Sequence, residues 1–154
     1  LYVSIYGNGT SNSEFEFLTG NSLAFLPAGS NAYEQYIRTE TPSLVSILGE
    51  QGYSKTAMHP FYGDGWNRRT VYPLLGFDQF LDIEAFDTSN LMRRYVSDSD
   101  DYNKITDLYE QRDQSKPFFM FNVTMQNHGG YDTKYDTFPE DIHLLSVSEG
   151  TKYT

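Results

Sequence analysis

The sequence predicts an α/β fold, a layered sandwich built on a partly parallel sheet. Short apolar segments alternate with helix-like segments along the chain, the order that packs helices onto parallel strands. The most apolar segment, 117–125, runs almost directly into His128 and two glycines. Ligands of open α/β sheets bind at the carboxyl ends of strands, so this edge is the predicted functional face.

The chain opens with a predicted strand and a predicted helix. Residues 1–6 are largely β-branched or aromatic and alternate, which is typical of a strand. Glycines then break the pattern, and a helix is predicted to end at Gly20, with Thr10 or Ser11 as its N-cap. Residues 21–40 show no regular period.

A second helix is predicted to begin at Pro42. Thr41 is the expected N-cap, because proline is favoured at the first helical position. One apolar face is expected, formed by Leu44, Ile47 and Leu48.

The middle of the chain predicts two strands around a helix. Residues 53–58 read as a short strand, and 77–83 as another. The helix is predicted over 67–75 with Gly76 as its cap, and Pro73 inside it should keep it short or kinked.

The last predicted helix and strand precede the polar tail. Residues 100–114 predict a helix, and the acidic run 97–101 is expected to be its solvated start. The main strand is predicted over 118–125, and the tail 132–154 has no clear period. The expected inward residues of the helix are Ile105, Leu108 and Tyr109.

Bulk properties exclude several classes of function. The 154 residues suffice for one domain, and a net charge of −10 argues against nucleic acid as a partner. The absence of cysteine excludes disulfides, thiolate zinc sites and cysteine nucleophiles. No stretch approaches the roughly 20 apolar residues of a membrane span. No signal peptide precedes the first strand, so we expect an internal piece of a longer protein.

Thr10 is the first candidate for chemistry. It follows a glycine turn at a predicted helix start, where backbone N–H groups and the helix dipole favour phosphate or sulfate. A threonine hydroxyl needs a metal or a base to become a nucleophile. Simple N-capping is the alternative use of this residue.

His128 is the second candidate, beyond the end of the apolar strand. It could be a metal ligand, a general acid for a leaving oxygen, or a donor to a phosphoryl group. The alternative is a turn histidine bonded to backbone.

A third cluster lies on the glycine-broken loop 59–68. Arg68 could form bidentate bonds to a phosphate, and Trp66 could stack on a glycerol or sugar face, with His59 beside them. A surface loop with one anchoring tryptophan is the alternative. The usual nucleotide-binding loops and the Gly-x-Ser-x-Gly elbow do not occur.

The chain resembles the extracellular domain of the lipoteichoic acid synthase and phosphoglycerol transferase family, within the sulfatase and alkaline phosphatase superfamily. The matching segments occur in the family's order over most of 7–131. They are GTSNSEFEFLT at 9–19, GYSKTAMH at 52–59, WNR at 66–68, Tyr72, LGF at 75–77 and VTMQNH at 123–128.

The resemblance implies an alkaline phosphatase-like three-layer sandwich with a mostly parallel sheet, of which 1–154 would be part of a single catalytic domain. It implies that Thr10 takes up glycerol phosphate covalently and binds manganese or magnesium, with calcium as a further candidate. His59, Trp66, Arg68 and His128 would line the pocket, and His128 would assist the leaving group.

The chain departs from the family pattern in two ways. A metal-binding Glu before this segment and an Asp-His pair after it are missing, so the isolated piece should bind metal poorly and be inactive. Phe61 stands where some members carry an acid. Most true sulfatases of the wider superfamily carry a Cys/Ser-x-Pro-x-Arg motif, and its absence around Thr10 favours phosphoryl over sulfuryl transfer.

Three functions remain open at this point. The first is transfer of glycerol phosphate from a glycerophospholipid to a glycan or polymer acceptor, on the extracellular face of a bacterial membrane that segments outside this chain would anchor. The second is hydrolysis of phosphate or sulfate esters. The third is a non-catalytic surface domain that binds glycans or glycerol phosphate.

Overall fold

The computed structural model describes residues 9–137 and residue 146. Five α-helices and three β-strands follow one another in the described residues. In chain order they are α1 Thr10–Thr19, α2 Ala32–Gln35, α3 Leu44–Glu50, β1 Ser54–Met58, α4 Arg68–Leu75, β2 Gln79–Leu81, α5 Asp98–Gln111 and β3 Phe118–Asn122. The predicted strand over 1–6 and most of the tail lie outside the described residues.

The three strands form one parallel sheet in the order β2-β1-β3. Thr56 pairs with Gln79 on one side of β1 and with Met120 on the other. All three strands therefore end at the same edge, and α3 contacts β1 while α4 contacts β2. This arrangement confirms the predicted α/β class with a parallel sheet.

The hydrophobic core lies between the sheet and the helices around it. Buried aliphatic and aromatic residues from α1 to α4 meet the central strand here, including Leu18, Tyr33, Val45, Ala57, Val71, Tyr72 and Leu75. Half-buried Phe119 and Phe121 of β3 pack against this cluster. β3 is only half-buried along its length, because its outer side has no neighbouring strand among the described residues.

The N-termini of α1 and α3 differ from their predictions. Gly9 caps α1 with a φ of 84°, so Thr10 becomes the first helical residue rather than the cap. Ser43 caps α3 in a box with Ser46, and its hydroxyl also donates to the Leu75 carbonyl at 2.6 Å. The predicted cap, Thr41, is wrong because its amide bonds to the distant Leu74 carbonyl instead.

Two predicted helix faces are also wrong in part. Val45 is the buried residue of α3, whereas Ile47 is 52 % exposed. In α5 Tyr109 is 53 % exposed, and Asp101, in the acidic run expected to be solvated, is completely buried. Both helices orient by contacts with distant segments that their own periodicity does not reveal.

The central elements agree with their predictions apart from shorter ends. β1 and β2 lie within the predicted strands, and α4 is short and ends at Gly76, which has a φ of 101°. β3 ends at Asn122 rather than at 125. Residues 21–40, expected to be irregular, also contain the single turn of α2.

Candidate active site

All five predicted site residues line one open cleft of about 1510 Å³. It lies at the edge where the parallel strands end, as the sequence predicted. The residues come from four separate places in the chain and meet only through the fold: Thr10, His59, the neighbouring Trp66 and Arg68, and His128.

Thr10 lies exposed at the first position of α1. The Gly9 carbonyl accepts the amides of Asn12 at 3.1 Å and Ser13 at 3.4 Å, which begin the helical bonding. The earlier amides of Thr10 and Ser11 therefore have no helical acceptor, and they lie at the positive end of the helix dipole. The hydroxyl thus lies in a setting that favours an approaching anion.

His59 follows the last residue of β1 and is buried. Its Nδ1 lies 2.8 Å from the Val123 carbonyl. A carbonyl can only accept, so Nδ1 carries the proton and Nε2 keeps a lone pair. Burial, with a smaller effect of the Arg68 charge, lowers the pKa of His59 to about 4. The imidazole is therefore neutral at physiological pH.

Arg68 is buried and held by Glu14 of α1. The two Arg68–Glu14 contacts are Nη2 to Oε1 at 2.5 Å and Nε to Oε2 at 3.3 Å, and Tyr72 donates to Oε2 at 2.8 Å. Burial and the Glu14 charge raise the pKa of Tyr72, which keeps the phenol a donor. The third guanidinium nitrogen, Nη1, does not contact Glu14 and donates to the Gly65 carbonyl at 3.4 Å.

Sequence reasoning missed the structural role of Glu14. A signal was present, because Glu14 lies four residues before the apolar Leu18 on one face of α1. A carboxylate on a buried helix face needs a cationic partner. The predicted role of Arg68 in holding phosphoryl oxygens stays a prediction, and it rests on Nη1.

Trp66 projects from a tight turn just before α4. Trp66 and Asn67 both have a φ of 58°, which is unusual for residues other than glycine. Such backbone strain persists where the surrounding structure requires it, and it is concentrated at functional sites. The Trp66 ring is 41 % exposed and lines the cleft, where it can stack on a ligand.

His128 lies on the loop after β3 with its side chain exposed. Its ring Nδ1 is 3.5 Å from the Tyr95 hydroxyl, a long contact that leaves the imidazole accessible to a ligand. Its backbone amide bonds to the Met125 carbonyl at 2.9 Å. The residue can therefore give or take a proton in the cleft.

Arg93 holds the loop that carries His128, and sequence reasoning missed it. Its guanidinium donates to the carbonyls of Gln126 and His128, the latter at 2.9 Å. It also lies over the rings of Tyr95 at 5.2 Å and Tyr131 at 4.8 Å. No spacing in the sequence relates position 93 to 126–131.

The first turn of α5 fixes the other side of the same loop. The Gln126 side chain accepts the Asp98 amide at 2.7 Å, and the Asn127 side chain donates to the Asp98 carboxylate at 2.9 Å. Below them Asn122 donates to Asp101 at 2.7 Å. Burial raises the pKa of Asp101. The residues after β3 are thus held at a defined position relative to the cleft.

Residues 9–137 and 146 contain no group of three or more histidine or acidic side chains that could hold a metal ion. The Thr10 hydroxyl is a single exposed donor in the cleft, and one hydroxyl is not a complete ligand set. These residues alone therefore do not fit a metal ion. The described part of the chain also includes no helix long and apolar enough to cross a bilayer.

A family model described as Sulfatase matches residues 1–143. The chain belongs to the sulfatase family. A Rhizobium meliloti protein named for modification of cyclic beta-1,2-glucan is 44% identical over 82% of the chain. The lipoteichoic acid synthase of Staphylococcus saprophyticus is 33% identical over 90% of it. The chain spans only 20% and 21% of these two relatives.

Solved structures share the fold of this sulfatase-family chain. A Streptococcus pyogenes phosphoglycerol transferase, in complex with sn-glycerol-1-phosphate, matches 86% of the chain and 35% of its own length, at 28% identity and a TM-score of 0.67. An alkaline phosphatase superfamily protein from Vibrio parahaemolyticus matches 92% of the chain and 34% of its own, at 27% identity and a TM-score of 0.66. The chain thus has the alkaline phosphatase superfamily fold, and its relatives are enzymes.

Proposed function

We propose that the protein containing this chain transfers glycerol phosphate from a glycerophospholipid to a glycan or polymer acceptor. Thr10 is the nucleophile, and residues 1–154 are part of a single catalytic domain. The observation that carries the proposal is the position of Thr10, exposed at a helix N-terminus in the cleft that His59, Arg68 and His128 also line. Relatives named lipoteichoic acid synthase and the glycerol-phosphate complex of a related transferase support this substrate class.

The chemistry divides into two balanced steps. In the first, Thr10 Oγ1 bonds to phosphorus as the bond from phosphorus to the diacylglycerol oxygen breaks. The hydroxyl proton passes to a base, and the departing oxygen takes a proton, for which His128 is accessible. In the second, an acceptor hydroxyl bonds to phosphorus as the bond from phosphorus to Thr10 Oγ1 breaks, the acceptor loses its proton to the base, and the Thr10 oxygen regains one. The first amides of α1 and Nη1 of Arg68 stabilise the phosphoryl oxygens in both steps.

A divalent cation, manganese or magnesium, is expected in the whole protein, because the superfamily generally uses such ions. When bound, the cation would lower the pKa of the Thr10 hydroxyl and neutralise negative charge on the phosphoryl group. Thr10 would be one of its ligands, and the others would come from residues outside the described part. Chelation is therefore expected to abolish turnover, and added manganese to restore it.

The setting of the reaction follows from the proposed donor. A glycerophospholipid is part of a membrane, so we infer that the catalytic domain works at the outer face of the bacterial membrane. Segments outside this chain would anchor it there. The glucan named in the Rhizobium meliloti relative makes a glycan the preferred acceptor.

Replacement of Thr10 tests the proposal. In the full extracellular protein with manganese, Thr10→Ala should lower diacylglycerol release from phosphatidylglycerol by at least about 1000-fold, because the nucleophile is lost. Thr70→Ala removes an exposed threonine of α4 and should leave the rate unchanged. Undiminished release by Thr10→Ala would contradict the assignment.

The family to which the chain belongs favours one competing function, hydrolysis of sulfate or phosphate esters. An aryl sulfate in a parallel assay distinguishes the two. Cleavage of the sulfate without release of diacylglycerol would replace the proposed donor with a sulfate ester. Free glycerol phosphate in place of an elongated glycan would make the enzyme a phosphodiester hydrolase.

A further inference from the structure

The cleft extends beyond the residues used in the proposed reaction. Phe61 and Tyr62 form one wall, and the segment 83–95 forms the wall beyond them. The contacts of these walls, rather than those of Thr10, determine what else the cleft can hold.

Aromatic rings form a fixed surface on this side of the cleft. The Phe61 ring packs edge-on against Tyr62 with centroids 4.8 Å apart, and against Tyr95 at 5.6 Å. Phe61 also contacts His59 at 6.3 Å, which connects the surface to the candidate active site. The Tyr62 side chain is nevertheless 62 % exposed. A large ring held in place and left open to solvent in a cleft suits stacking against the face of a ligand.

Polar groups surround this aromatic surface. Arg94 donates from Nε to the Tyr95 hydroxyl at 3.0 Å, which fixes the guanidinium in the cleft wall. Glu84 accepts from Arg69 at 3.1 Å, and Thr88 adds a hydroxyl. Aromatic faces beside fixed donors and acceptors match the apolar face and the hydroxyl edge of a sugar ring. A lipid acyl chain would desolvate the Arg94 and Glu84 charges without compensation.

The charge balance on this side of the cleft favours a neutral acceptor. Glu14 neutralises Arg68, Glu84 pairs with Arg69, and Arg94 adds a single positive charge to the described lining. A polyanionic acceptor such as a glycerol phosphate polymer would require an excess of cations. The described cleft has no such excess, and the chain as a whole carries a net charge of −10.

We propose that Phe61, Tyr62 and the 83–95 wall form a sugar subsite that binds a pyranose ring of a neutral glycan acceptor beside Thr10. Tyr62 stacks on the ring, while Arg94 and Glu84 bond to its hydroxyls. The acceptor role of this subsite rests on the transfer reaction proposed above. The binding of a sugar at the subsite is independent of that reaction.

Binding of a neutral β-linked gluco-oligosaccharide to the full extracellular protein tests the subsite by calorimetry. Tyr62→Ala should weaken binding about tenfold through loss of the stacking surface, and Tyr62→Phe should restore it because the ring remains. Tyr102→Ala is the matched control, since this tyrosine of α5 is 54 % exposed and does not line the cleft. Equal affinities for the wild type and Tyr62→Ala, or tighter binding of polyglycerol phosphate than of the oligosaccharide, would overturn the proposal.

A second readout separates this proposal from the transfer reaction. With phosphatidylglycerol as donor, Tyr62→Ala should lower the ratio of glycerol phosphate transferred to the glycan to that released into water. If the donor is not turned over but the oligosaccharide still binds through Tyr62, the proposed reaction fails and the subsite stands. If the donor is turned over but Tyr62→Ala leaves the glycan affinity unchanged, the subsite fails and the reaction stands.

Discussion

The neutral form of His59 is a consequence of burial. Its imidazole donates to the Val123 carbonyl from Nδ1 and lies close enough to Arg68 for the positive charge to disfavour protonation. Burial and the Arg68 charge both act against a charged ring, and together they outweigh the Val123 hydrogen bond, which favours it. His59 therefore presents a lone pair on Nε2 across the working range of pH, and it is suited to accept a hydrogen bond from a hydroxyl of the substrate.

The lowered pKa of His59 predicts how stability depends on pH. The folded imidazole titrates at about 4 and the unfolded one at 6.5, so the unfolded state binds more protons between these values. Stability is therefore expected to fall as pH decreases from 6.5 to 4, by roughly 3 kcal/mol in total from this group. His59→Asn, which retains a donor for Val123, should reduce that loss in urea unfolding of the full extracellular protein. If the unfolding free energies of the wild type and of His59→Asn fell equally as pH decreased, the lowered pKa of His59 would be contradicted.

Arg68 and Glu14 show how one ion pair can serve both the core and the site. Their side chains are only 2% and 3% exposed. The pair joins α1 to α4 and thereby fixes Thr10 relative to Trp66. Removing one partner leaves the other charge buried without compensation.

Glu14→Gln should accordingly destabilise the protein by about 3–5 kcal/mol. Lys116→Gln is the matched control, because the Lys116–Asp113 pair at 3.9 Å is more than half exposed on both sides. Such surface pairs contribute about 0–1 kcal/mol. Chemical denaturation of both variants measures the difference. Equal shifts in the two variants would contradict a structural role for the Glu14–Arg68 pair.

At the scale of elements, the loop after β3 is positioned from two sides. Arg93 binds its carbonyls, and the first turn of α5 binds its Gln126 and Asn127 side chains. Arg93 itself has a φ of 57°, a conformation that asparagine tolerates better than most residues. Arg93 is thus a positioning residue for His128 rather than a group that reacts.

Arg93→Asn should loosen this loop without straining the backbone. Hydrogen exchange at the amides of 126–130 is expected to accelerate by at least about tenfold, because local opening becomes easier. In the proposed reaction kcat should fall more than KM changes, because His128 is displaced while the residues that bind the phospholipid substrate stay in place. Arg38→Ala provides the control, because it removes an exposed arginine that is distant in sequence from both Arg93 and the loop. Unchanged exchange and unchanged kcat would contradict the role of Arg93.

The sequence was sufficient where an element depends on its own residues. β1 and α4 with the Gly76 cap were predicted because alternation, proline and glycine act locally. The candidate residues, predicted from separate sequence features, line one cleft, but their roles stay predictions. The Ser43 cap was missed because its hydroxyl also bonds to Leu75, 32 residues away. Asp101 was likewise expected to be solvated, because its hydrogen bond from Asn122 of β3 joins residues 21 positions apart.

At the scale of the whole molecule, the chain spans only part of the length of its relatives. It covers about a third of the related solved structures and about a fifth of its curated relatives. The described residues bring together a hydroxyl, two histidines and an arginine but not a full set of metal ligands. The proposed reaction is therefore expected to need residues beyond the described ones, and its tests belong on the full protein.

The central claim is that Thr10 becomes covalently attached to glycerol phosphate. The most direct test is mass spectrometry of the full extracellular protein, supplied with manganese, reacted with phosphatidylglycerol and quenched in acid. If Thr10 is the nucleophile, the peptide that contains Thr10 should carry a glycerol phosphate adduct, and the same peptide of Thr10→Ala should carry none. Release of diacylglycerol with no adduct at Thr10, or with the adduct on another residue, would contradict it.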